Sequence, residues 1–139
     1  MRTALVLLIA VGTLAAAPVP KDFKKADDAK LIVGTWMGTG SDTVRFAFAA
    51  DGTLRTWYGP NSNGAMGWTW AVTDPKATPK RARVNRAENP AAGYDCVYEL
   101  AGDTLKFALL LTAGMPPPDT VERKPGLEFH AMTRDAAAK

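Results

Sequence analysis

Residues 65–73 read AMGWTWAVT, and their alternation decides the fold. Met66, Trp68, Trp70 and Val72 share one phase of a two-residue period; Gly67, Thr69, Ala71 and Thr73 share the other. A helix would spread both sets around its circumference, whereas an extended chain sorts them into an apolar face and a face of small or hydroxyl residues. The segment predicts a β-strand with one buried side.

Moving outward, the same period recurs. Residues 43–49 put Val44, Phe46 and Phe48 on one face and run into Asp51-Gly52, a tight hairpin turn, before a strand at 53–58. A first strand fits residues 35–40, and GPNSNG at 59–64 makes a loop. On the other side, Pro75 and Pro79 mark 74–80 as a connection. Strands follow at 81–86, 93–100, 104–111 and 127–133, with Leu105, Phe107, Leu109 and Leu111 on one face of the third. Residues 112–126 form a long proline-rich loop, and 26–33 suit one or two helical turns that plug the closed end. About eight short strands and no strong internal helix predict an all-β fold. A small up-and-down antiparallel barrel is the simplest closure, because it leaves no exposed edge; a sandwich is the competitor.

The chain has 139 residues, a one-domain length. Residues 1–17 read as a secretory signal peptide: Arg2 is the positive start, 5–14 the apolar run, and Ala15-Ala16-Ala17 the small-residue exit. Cleavage fits after Ala17 or, since Pro18 is a poor first residue, before Ala16. The apolar run falls short of the roughly 20 residues that span a bilayer, so no membrane span is expected after cleavage. The expected organisation is a leader at 1–17, a linker at 18–29, a barrel at 30–134 and a disordered tail at 135–139. Export to the periplasm, cell envelope or medium follows from the leader.

Net charge is +3, and +2 without Arg2, too mild to argue for nucleic acid or an anionic membrane. Cys96 is the only cysteine, so no intramolecular disulfide can form. It shares a phase with Tyr94, Tyr98 and Leu100, which suits a small buried thiol; an intermolecular disulfide is the other reading. One cysteine and one histidine exclude an ordinary zinc cluster, and no metal site is expected.

Gly34-Thr35-Trp36 resembles the Gly-x-Trp mark of lipocalins, whose Trp packs across the closed end of the barrel against an Arg from the far end of the chain. That resemblance implies structural roles for Trp36 and Arg134. The longer pattern is LIVGTW at 31–36, DPKATPK at 74–80, YELAGDTLK at 98–106, KPG at 124–126 and a last strand ending in Arg134. It is similar to a paralogous lipocalin-like domain family of planctomycete bacteria, whose members are often exported and have no established activity. Phe107 stands where that family usually has Cys, and Pro116-Pro117-Pro118 where it usually has Arg-Pro. The resemblance implies a lipocalin-like barrel and transfers no catalytic residue.

Catalysis has little to stand on. His130 would need Ser41 or Ser62, neither in a nucleophile-elbow setting, and Asp42, Asp51, Asp74 and Asp103 read as turn formers. The expectation is a non-enzyme without a cofactor. GTWMGTG at 34–40 also looks like the opening of nitrobindin-type haem barrels, which use a His near the C-terminus. Strand parity argues against that use of His130: Leu127, Phe129 and Ala131 make the more apolar face, which turns His130 outward. Lys76, Lys80, Arg81, Arg83 and Arg86 read as a solvated basic face.

Phe46, Phe48, Trp57, Trp68, Trp70 and Phe107 are the candidates for lining a ligand cavity. An eight-stranded barrel either fills with side chains or holds one small ligand. The working expectation is an exported barrel that binds a small apolar ligand or a cell-envelope partner. Its rival is a solid-core interaction module, and the short strands favour a filled or nearly filled core.

Overall fold

The computed structural model describes residues 27–40, 43–59, 66–112 and 115–137. The leader, nearly all of the linker, most of the loop at 59–64, and Ser41 and Ser62 lie outside the described residues.

A short helix, α1 (Asp28–Ile32), precedes eight strands: β1 (Gly34–Gly38), β2 (Val44–Phe48), β3 (Thr53–Tyr58), β4 (Met66–Asp74), β5 (Lys80–Arg86), β6 (Asn89–Ala101), β7 (Thr104–Leu109) and β8 (Glu128–Arg134). Each strand pairs antiparallel with the next, and β8 returns to β1 through Trp36↔Arg134, Met37↔Thr133 and Gly38↔Met132. The result is a closed up-and-down barrel of lipocalin-like type. Closure leaves no edge strand unpaired, and the sandwich alternative is set aside.

One end is sealed by α1. Trp36 is fully buried, and its indole Nε1 donates to the Ile32 carbonyl at 2.7 Å. The Arg134 guanidinium lies 4.3 Å from the Trp36 ring centroid and donates to the carbonyls of Val33 (2.9 Å) and Leu31. These carbonyls end the helix, where backbone acceptors lack intrahelical partners, so Arg134 both stacks on the indole and caps the plug. Gly34 explains the first letter of the Gly-x-Trp motif. Its φ is +135°, and a Cβ there would stand 2.7 Å from Arg134 Nη1. Asp28 completes the seal by accepting from Lys80 Nζ at 2.7 Å and from the Tyr98 hydroxyl at 3.0 Å.

Above this plug the barrel is filled. Phe48 and Trp70 meet edge to face at 5.1 Å, and Leu54, Ala82, Val84, Cys96, Leu105 and Met132 close the interior around them. Cys96 is a free thiol with no exposure, bonded to the Ala82 carbonyl at 3.1 Å, which is the buried-thiol arrangement. Outside the wall, Val121 folds back onto Val97 and Ala108, with Phe129 packed beside them. The proline-rich loop thus covers the outer surface of β6, β7 and β8.

Strand β6 starts at Asn89, earlier than the expected 93, despite Pro90. The ladder with β5 is irregular between Asn85 and Arg86, and at such a break a residue without an N–H costs no regular bond. Two face assignments are corrected. Trp57 points out of the barrel, because Leu54 and Thr56 are the buried members of β3 and Trp57 takes the opposite phase with Arg55. Its ring carries the Arg45 guanidinium at 4.3 Å on the exterior. His130 points into the barrel, not out of it. Met132 is fully buried on its face, while the apolar Phe129 faces the covering loop.

Candidate ligand site at the open end

Chain direction fixes which residues gather opposite the plug. Strands β2, β4, β6 and β8 begin at the open end, and β1, β3, β5 and β7 finish there. The last inward residue of β3, Tyr58, therefore meets the first inward residues of β8, Glu128 and His130. The Tyr58 hydroxyl donates to Glu128 Oε1 at 3.0 Å, and His130 Nε2 lies 2.7 Å from the same oxygen. The His130 and Glu128 side chains are only 10% and 21% exposed, while Tyr58 is exposed at the rim, so the trio sits in the mouth with its carboxylate and imidazole turned inward.

Aromatic rings surround the trio. His130 stands 4.9 Å from Phe46 and 6.1 Å from Tyr58, centroid to centroid; Phe46 contacts Phe107 at 6.4 Å. Nearby, Trp68 Nε1 donates to Thr56 Oγ1 at 3.0 Å. The electrostatics follow from these contacts. The hydrogen bond from His130, helped by that from Tyr58, holds the Glu128 carboxyl below its ordinary range against a burial effect that raises it. Burial first, and then the neighbouring Glu128 charge, push the Tyr58 phenol up, so it stays a donor.

A cavity of about 40 Å³ remains between Phe46, Thr56, Tyr58, Trp68, Phe107 and Glu128, with Leu109 and Leu111 at its mouth. A cavity of that volume takes one to three waters or a small head group, far below the roughly 300–1,000 Å³ of an enclosed drug-sized ligand. Haem does not fit at His130, because Phe46 packs against the imidazole ring and Nε2 is engaged by Glu128.

Of the six residues expected at a cavity, Phe46, Trp68 and Phe107 line it. Phe48 and Trp70 belong to the filled half near the plug, Trp70 donating to the Ala49 carbonyl at 3.2 Å. Trp57 is outside. Tyr58, Glu128 and His130 were missed, although a signal existed. An Arg134 that stacks on Trp36 at the closed end fixes the phase of β8, and counting back in twos gives Met132, His130 and Glu128.

Among the described residues no cluster of three potential metal ligands occurs, and no helix is long and apolar enough to cross a membrane. No protein-family model, curated protein or solved structure matches the chain.

Proposed function

We propose that this protein is an exported, non-enzymatic lipocalin-like barrel that binds a small amphiphilic molecule at its open end, holding the head group in the mouth without enclosing the whole ligand. The observation that carries the reading is the Tyr58–Glu128–His130 trio at the mouth of the barrel, beside a small aromatic-lined cavity. A carboxylate in an apolar interior opposes folding unless it is well partnered, and the barrel is sealed by the separate Asp28–Lys80–Tyr98 cluster at its other end. Glu128 is therefore not needed to seal the closed end, and its inward place beside the cavity at the mouth supports recognition. The leader read at 1–17 supports export, and the Gly34-x-Trp36 opening with Arg134 supports kinship with the planctomycete-type lipocalin-like family.

The test is an NMR titration of the protein with short-chain alcohols, amines and carboxylic acids. Saturable shifts confined to the open end support the reading. The small cavity favours a second reading, a solid-core module that contacts a cell-envelope partner through its loops; a protein that binds none of these molecules would fit it instead.

A further inference from the structure

Granting that the open end is a binding site, we propose that its ligand is a small organic cation, a primary ammonium on a short apolar chain. This inference rests on the donor and acceptor inventory of the cavity wall. The polar side chains that line it are Thr56, Tyr58, Trp68 and Glu128. Three of the four present oxygens. The fourth, the Trp68 indole, has its only N–H committed to Thr56. A guest there finds mainly acceptors: the Tyr58 O–H is given to Glu128, which leaves the single hydroxyl hydrogen of Thr56 as the one donor of the wall.

Charge selects further. Glu128 Oε1 is shared by Tyr58 and His130, and Oε2 accepts no hydrogen bond among the described residues. A carboxylate guest would meet a carboxylate host and no free N–H in the cavity wall, the Arg86 guanidinium lying outside that wall at the rim. A neutral apolar guest would exclude water from Oε2 without replacing its hydrogen bond, an unfavourable exchange. An ammonium supplies both a charge and a donor. Phe46 stands 6.2 Å from Tyr58 and 6.4 Å from Phe107, centroid to centroid, and aromatic rings attract cations at their faces. At the rim, the exposed Arg86 already holds its guanidinium 5.6 Å from the Trp68 ring centroid, so an aromatic surface of this mouth is in use as a cation platform.

Size sets the rest. About 40 Å³ receives an ammonium head and no more, so the chain of the ligand must lie outward across Leu109 and the exposed Leu111. A primary ammonium fits this limit, whereas bulky quaternary heads exceed it.

The experiment compares hexylamine, hexanol and hexanoate at neutral pH, where the amine is charged, using the fluorescence of the protein's tryptophans and NMR shifts. Hexylamine is expected to bind about tenfold or more tightly than hexanol, with hexanoate weakest; tenfold corresponds to about 1.4 kcal/mol. In Glu128→Gln the amine should fall to the level of the alcohol. Hexanol or hexanoate binding as well as hexylamine would overturn the cation assignment while leaving the open end a binding site. Failure of all three to bind would overturn both. The ligand series on the unaltered protein decides the matter even if the variant does not fold.

Discussion

Phe107 and His130 stand directly opposite each other across the β7–β8 ladder, and residues so paired project from the same face of the sheet. Phe107 is buried in the barrel, so His130 is carried inside with it and brought to Glu128. That register creates the polar trio at the open end. A one-residue slip would turn His130 and Glu128 outward and send Phe129 into the cavity.

The pH dependence of stability follows from Glu128. Its carboxyl titrates below the ordinary 4.5 because His130 and Tyr58 stabilise the charged form. A carboxylate depressed on folding adds stability that is present above its unfolded value and lost as pH falls through its folded value. Denaturation midpoints should therefore drop as pH is lowered from about 5 toward 3. Glu128→Gln, which lacks this titration, should show a smaller drop over the same window.

The plug predicts a mutational signature at the opposite end. Arg134→Ala removes the stack on Trp36 and strips donors from the Leu31 and Val33 carbonyls, a loss of about 1–3 kcal/mol. Gly34→Ala should cost a similar amount, about 1–3 kcal/mol, through its positive φ and the close approach of Arg134. Urea denaturation measures both. Because the two residues share one contact, the double variant should lose less than the sum of the singles.

Cys96 should be inert in the native protein. Burial holds its pKa well above that of an exposed thiol, so little thiolate forms at neutral pH, and the sulfur has no exposed surface. A thiol reagent should label it only at the rate of unfolding, and fully in denaturant. Fast labelling of folded protein would show that the β5–β6 wall opens.

Phe107→Ala should enlarge the cavity at a cost of about 3–5 kcal/mol, since Phe107 packs against Phe46 in the centre of the barrel. Trp57→Ala should leave ligand binding unchanged and cost about 1 kcal/mol or less, because Trp57 lies on the outer surface under Arg45. Thermal melts and the amine titration read the two effects separately.

Most of the barrel was legible because its strands have one wet face. Alternation in β4 and β7 and the Asp51-Gly52 turn gave element positions to within a few residues. The Trp36–Arg134 contact followed from the lipocalin resemblance. The site was harder for a physical reason. Both faces of β8 are covered, one by the interior and one by the loop that carries Val121, so apolar content did not mark the inward phase. Phe129 on the loop side looked like core and His130 on the core side looked like surface. In β3 the clue was present, since Arg55 shares a phase with Trp57 and so places both outside.

The most direct test of recognition at the open end is a ¹H–¹⁵N NMR titration of the protein with hexylamine. Saturable shifts are expected at Tyr58, Leu109, Glu128 and His130, with Gly34, Trp36 and Tyr98 at the plug unmoved. Shifts centred on the plug or the Arg45–Trp57 exterior, or none at millimolar amine, would contradict it.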